Sequence, residues 1–403
     1  MRWVRRGGIA LCMLNRLEEQ APDALLALIK LFKADERPDK IDLGVGVYRT
    51  ADGATPVFQA IKGAERRLVE TQESKGYLGP EGDMGFVSGL IPHVFGDAAP
   101  SDGRLDGMQT PGGTGAVRLA LALAKKAGVN RVLMGTPSWP NHAQILDDLE
   151  LELIPFDHAS SDGSANMKAL RDALADAGEG DAVLLHGCCH NPTGVDYTAD
   201  EWDEIVGLLK DSAVLPLIDV AYQGLGRGME EDAYGVRAIA ANLAEALFAY
   251  SCDKNFGLYR DRVGAFYVVT KDAETTARAI SNASALARAN WSMPPDHGGA
   301  AVRVILEDPA LTEQWLEELA SMRERIAGVR AKLAASSNAG GVNLEPLGRQ
   351  QGMFAMLPVS KEQVQQLRDD HAVYMAGSGR INVAGLTQSN IDRFVDALSD
   401  VTG

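Results

Sequence analysis

Lys254 stands in the stretch AYSCDKNFGLYRDRVG (249–264), directly after an apolar run and beside Ser251, Asp253, Arg260 and Arg262. A lysine performs covalent chemistry when burial and nearby cations lower its pKa, because only the neutral amine attacks a carbonyl. A lysine picked alone fits a solvated loop equally well, and what sets Lys254 apart is its company along the chain. TPGGTGA (110–116) puts glycines just before a helical stretch, where backbone N–H groups and the helix dipole can hold a phosphate. It is neither a Walker loop nor a dinucleotide fingerprint, since Arg118 stands where the third glycine would be, and on its own it reads as a turn too. HNPTG (190–194) ends a strand-like run with Asn191 before proline, either a tight turn or an amide aimed into a cleft. LIDVAYQGLGRG (217–228) offers Asp219 and Tyr222. A carboxylate closing an apolar strand is costly unless it caps the next turn or meets a cation. His142, in PSWPNH (137–142), is its candidate support.

The elements that must position these residues alternate from about residue 110 onward. TGAVRLALALAKKAG (114–128) reads as a helix stopped by glycine. RVLMGT (131–136), LELIPF (151–156), DAVLLHG (181–187), AVLPLID (213–219), ALFAYS (246–251) and GAFYVV (264–269) read as strands, with helices expected over 167–177 and 203–211. Such alternation implies an α/β protein with a mainly parallel sheet covered on both faces. Ligands in these sheets bind beyond the strands' C-terminal ends, where Asn191, Asp219 and Ser251 fall. The C-terminal part differs. A charged helical stretch (311–335) precedes strand-like GMFAML and GRINVAG, and IDLGVG (41–46) is a strand candidate near the other end. The expected organisation is an N-terminal extension or arm (1–22), a small domain built from 23–55 with 317–403, and a large domain over 56–316.

Composition excludes several classes. The chain has 403 residues, 46% hydrophobic and 23% charged, with a net charge of −16. That acidity argues against nucleic acid and anionic membrane as partners. Cys12, Cys188, Cys189 and Cys252 show no paired CxxC spacing, so no metal site is expected, and Cys188 and Cys189 read as buried packing residues. No transmembrane-length apolar run occurs, and the Ile9–Leu14 stretch is short for a signal peptide. A cytoplasmic location is expected, with Met13 an alternative start and residues 1–12 an extension.

Together, in order and spacing, KIDLGVGVYR (40–49), YLGPEG, TPGGTGA, PSWPNH, HGCCHNPTG, DVAYQGLGRG, KNFGLY, RANWSMPPDHG and SGRINVAG (378–385) resemble the class I aminotransferases of the aspartate/aromatic subgroup. The resemblance covers nearly the whole chain. It implies the fold type I scaffold, with a mainly parallel seven-stranded sheet between helices and a smaller α+β domain, and pyridoxal 5′-phosphate (PLP) as cofactor. It further implies that Lys254 forms the Schiff base and moves the proton, and that Asp219, supported by His142, keeps the cofactor's ring nitrogen protonated. Asn191 and Tyr222 would bond the ring oxygen, and Trp139 would stack on the ring. Gly113, Thr114, Ser251 and Arg262 would hold the phosphate, joined by Tyr77 from a second subunit. Arg380 would bind the substrate α-carboxylate, Gly46 would line the pocket, and Arg288 from the second subunit would take a side-chain carboxylate. A homodimer with shared sites follows.

The implied reaction is transamination of aromatic amino acids and aspartate with 2-oxoglutarate, by ping-pong kinetics. A strict aspartate enzyme is the alternative; a PLP-dependent lyase and a PLP-binding regulator fit less well, since the chain has two arginines for two carboxylates and no DNA-binding helix-turn-helix. One departure is visible: relatives usually carry serine before the lysine, and here it is Asp253. A carboxylate near phosphate repels it, so Asp253 is expected to turn away or to weaken cofactor binding. Arg260 has no role beyond surface charge.

Overall fold

The computed structural model describes residues 13–19 and 24–403. The expectations for residues 1–12, including Cys12, lie outside the described residues, and of the expected arm only 13–19 is described.

Seven strands form the central sheet: β1 (Leu105–Pro111), β2 (Arg131–Thr136), β3 (Glu152–Asp157), β4 (Asp181–His186), β5 (Leu215–Val220), β6 (Ala246–Ser251) and β7 (Val263–Val269). Their order is β1-β7-β6-β5-β4-β2-β3. All neighbours are parallel except β7, which runs antiparallel to both β1 and β6. Every residue of β4, β6 and β7 is buried. That is why these strands read as continuous apolar runs: helices cover both faces. Burying each large apolar side chain there stabilises the fold by roughly 1.5–3 kcal/mol.

The six strands expected for the central sheet form within two residues of their sequence-based limits. β1 was not expected, because LDGMQTP carries Asp106, Gly107 and Pro111, residues depleted in strands. It lies at the sheet's edge, and Gly107 is required there: a Cβ would stand 2.4 Å from Tyr267 Cδ1 and 2.5 Å from the Phe266 carbonyl.

Register puts the chemistry on one edge. His186 pairs with Asp219, Asp219 with Ala249, and Ser251 with Gly264. β1 and the parallel strands all end at this edge, so Pro111, Thr136, His186, Val220 and Ser251 share it.

The 27-residue helix Pro309–Ala335 links this layer to the short strands. Its first turn is capped by Asp308, which accepts from the Ala310 and Leu311 N–H groups at 2.9 and 3.2 Å. Trp315 on this helix stacks on Phe256, with ring centroids 4.2 Å apart, and donates its indole N–H to the Asn255 carbonyl at 2.7 Å. The helix thus pins the turn that follows Lys254. Farther along, Ile41–Asp42 pairs parallel with Val373–Tyr374, and Phe354–Met356 pairs antiparallel with Arg380–Asn382. The expected strand over 41–46 shrinks to two residues, because Asn382 Nδ2 takes the Val45 and Val47 carbonyls that a ladder would otherwise use. Among the described residues, no helix is long and apolar enough to cross a membrane.

Candidate active site

Asp219 sits next to the end of β5 in the buried interior. Burial alone would raise its pKa, but the hydrogen bond and charge of His142, with His186 and Lys254, hold the carboxyl below the ordinary value. His142 Nε2 lies 3.1 Å from Asp219 Oδ2. The other ring nitrogen, Nδ1, is 2.9 Å from Ser138 Oγ, which is 3.1 Å from His186 Nε2. Both ring nitrogens of His142 are therefore engaged, which fixes the ring against the carboxylate. Trp139, at the entry to the helix Pro140–Asp148, meets the His142 ring edge-on at 5.0 Å.

Asn191 Nδ2 reaches the Tyr222 hydroxyl at 3.3 Å, and Asn191 Oδ1 is buried without a partner among the described residues. Burial, with the nearby Asp219 charge, pushes the Tyr222 phenol well up, so it stays a neutral donor. Its own O–H finds no acceptor among the described residues. Lys254 Nζ lies 4.9 Å from the centroid of the Tyr222 ring. Burial lowers the Lys254 pKa and Arg262 adds to this, against the pull of Asp253 and Asp219. Among the described residues the amine has no hydrogen bond or ion pair.

On the other side stands the helix Gly112–Lys126, whose N-terminus has no side-chain cap. Its first N–H groups have no intrahelical partners and attract anions. Gly113 is held against Ser251, where a Cβ would come within 2.8 Å of Ser251 Cβ; at Gly112, with φ +70°, a Cβ would meet Arg262 Nη2 at 2.5 Å. Ser251 and Arg262 thus converge on the helix start, with Thr114 one residue on. Arg262 itself has a left-handed backbone, φ 57°. The expectation that Asp253 turns away does not hold: its Oδ2 is paired with Arg262 Nη1, which also donates to the Tyr259 carbonyl at 3.0 Å. Proximity in the same loop and opposite charge bring the two together.

Arg380 Nη2 donates to the Gly44 carbonyl at 2.9 Å, while its Nε is buried with no partner among the described residues. Its guanidinium lies over Phe354, 4.8 Å from the ring centroid, and Phe354 meets Tyr222 edge-on at 6.0 Å. A Cβ on Gly46 would be 3.0 Å from Phe354 Cζ, so Gly46 lines the same wall. Two expected site residues stand apart from this cluster. Tyr77 is 97% exposed, and Arg288 is exposed with Nη1 bonded to Ser292 Oγ at 2.7 Å. Both were assigned to a neighbouring subunit's site. Sequence reasoning missed Ser138, His186 and Phe354. The strand-end position of His186 in DAVLLH was the available signal; Phe354 had none beyond its strand.

A model of the family "Aminotransferase class I and II" matches residues 38–398. The chain belongs to this family. The aminotransferase is 48% identical over 375 residues to the tyrosine aminotransferase of Rhizobium meliloti, covering 93% of this chain and 96% of that protein. It is 43% identical to the aspartate aminotransferase of Escherichia coli, over 96% of this chain and 99% of the relative. A solved structure of the aromatic-amino-acid aminotransferase from Burkholderia pseudomallei, covalently bound to pyridoxal phosphate, superposes with a TM-score of 0.92 at 34% identity, over 97% of this chain and all of that one. The aminotransferase therefore has the fold type I architecture that its motifs implied.

Proposed function

We propose that this aminotransferase transfers the amino group of aromatic amino acids and of aspartate to 2-oxoglutarate, with PLP as cofactor. The observation that carries the reading is the setting of Lys254, an amine with lowered pKa between an anion-binding helix start and a buried aspartate. The residues fit the cofactor. The Gly112–Gly113 backbone with Ser251 and Arg262 forms a cradle that a Cβ would fill, and Asn191 and Tyr222 present buried polar atoms without full partners. When bound, PLP supplies an aldehyde that captures amines and a protonated ring that takes up the electron pair left at Cα.

The remaining work falls to the chain. The N–H groups at Gly113 and Thr114, the Ser251 hydroxyl and Arg262 would hold the phosphate, completed by Tyr77 of the partner subunit. Asp219 would keep a proton on the ring nitrogen, with His142 holding Asp219 in place. Asn191 and Tyr222 would donate toward the ring oxygen, and Trp139 would cover the ring. Arg380, with its unpaired Nε, grips the substrate α-carboxylate as a fork. Gly46 leaves room beside it. Lys254 Nζ takes the proton from the substrate Cα. Arg288 of the partner subunit would receive a side-chain carboxylate and withdraw to admit an aromatic ring.

Exposed Leu14, Leu17, Val69 and Tyr77 support a homodimer, since large apolar groups left in water mark contact surfaces. The same reading takes 1–22 as an arm, 23–55 with 317–403 as the mobile small domain, 56–316 as the large one, and the cytoplasm as its location. Lys254→Ala tests the core of the reading. It should abolish covalent cofactor attachment, read as cofactor absorbance that stays with the chain after borohydride reduction and denaturation, and lower turnover by about 10²- to 10⁴-fold. Retention of either would overturn it.

A further inference from the structure

The Asp253–Arg262 pair has a consequence for the anion cradle. Arg262 Nη1 already meets a carboxylate, and that carboxylate is fixed by its own chain: Asp253 N–H donates to Ser251 Oγ at 3.2 Å. The side chain of Asp253 is 8% exposed against 38% for Arg262, so the acid is the buried member of the pair. Its second oxygen, Oδ1, is buried without a partner among the described residues. The Arg262 guanidinium in turn lies against Gly112 at the start of the helix, and its Nη1 is shared with the Tyr259 carbonyl. A carboxylate therefore sits on the same cation that a phosphate at the helix start would use, and its backbone is bonded to the same serine. Both hydrogens of Nη1 are taken, by the carboxylate and the Tyr259 carbonyl, so a phosphate can use both Nη groups of the fork only by displacing the carboxylate, and two anions on one guanidinium repel each other.

We propose that Asp253 is an internal competitor for the phosphate cradle, a carboxylate that pairs with Arg262 and that the cofactor's phosphate must displace. This rests on the cofactor reading above. Loading then exchanges one anion for another, so cofactor affinity is lower than the cradle alone would give. The pair also steadies Arg262 in its left-handed backbone setting when the phosphate is away, keeping the loop shaped for reloading.

The test uses cofactor-free full-length protein in three forms: the native chain, Asp253→Asn and Asp253→Glu. Binding of PLP and of inorganic phosphate is measured by calorimetry, and Tm is recorded for the cofactor-free and loaded forms. Asp253→Asn should bind both ligands roughly 10- to 100-fold tighter, the size expected for a like charge removed from a partly screened site. Its Tm should fall in the cofactor-free form and rise in the loaded form, while Asp253→Glu, which keeps the charge, should follow the native chain. Equal affinities in the native chain and Asp253→Asn would overturn the role of Asp253 and leave the cradle standing. Failure of every form to bind either ligand would overturn the cradle and the competitor together.

Discussion

Two buried aspartates bear on Lys254, and each is held by a different kind of partner. Asp219 lies next to the end of a sheet strand. Its partner His142 stands on a helix, backed by Ser138 and then His186 at the end of the adjacent strand. Asp253 lies in the loop between β6 and β7, and its partner Arg262 is a half-exposed side chain of the same loop. The first arrangement is built on regular elements and closed by a chain of hydrogen-bonding groups, so it cannot easily rearrange. The second is a single ion pair with a replaceable member. On the proposed reading the difference separates two tasks: Asp219 would give a ring nitrogen one fixed charge throughout the reaction, whereas the Arg262 cradle would have to load and unload a phosphate.

The same substitution at the two ends should therefore act in opposite senses. Asp219→Asn keeps shape and removes the charge, and kcat at cofactor saturation should fall by about 10³-fold, the scale of losing one preorganised electrostatic group. A loss under tenfold would show that the ring nitrogen does not depend on Asp219. At Asp253 the same change should improve cofactor binding.

A smaller effect sharpens the contrast through stability. Three buried histidines beyond His142 are neutral in the fold: burial lowers His186 to about 3 and His158 to about 4, and takes His190 well below its usual value. Each group has its folded pKa below its unfolded one, near 6.5. The unfolded chain thus binds protons first as pH falls, and stability present above pH 6.5 is lost toward pH 4. Asp196, raised to about 6 by burial, and Asp232, also raised by burial, run the other way. With His93, also lowered by burial, four histidines outnumber the two acids, so the net slope keeps the histidine sign, at about 1.4 kcal/mol per pH unit for each net proton. Denaturant midpoints between pH 6.5 and 5 should fall as pH falls; midpoints that are flat or rising toward acid would mean the histidines are not held neutral.

Much of this was legible in the sequence, and the limits have physical causes. Lys254, Asp219, Asn191 and Ser251 announce themselves because each polar residue ends or follows an apolar run, the one place where a parallel sheet exposes chemistry. Tyr222, Arg262 and Arg380 came through the ordered motifs. β1 was hidden because Gly107 serves a close backbone approach and not a strand preference. Ser138 and His186 are joined across 48 residues by register alone. Phe354 looked like an ordinary strand residue, since its place between Tyr222 and Arg380 depends on how the short strands pack. The Asp253–Arg262 pair was anticipated as a conflict but not as a contact, because a left-handed backbone at Arg262 leaves no periodic trace.

The most direct measurement of the central claim is a half-reaction. PLP-loaded protein is mixed with phenylalanine or with aspartate in the absence of any 2-oxo acid, and the keto acid product is counted. The account predicts about one equivalent of keto acid per subunit from either donor, then no more until 2-oxoglutarate is added and turnover resumes. Product that forms continuously without an acceptor, or none until both substrates are present, would contradict it; a burst from aspartate alone would refute the aromatic part.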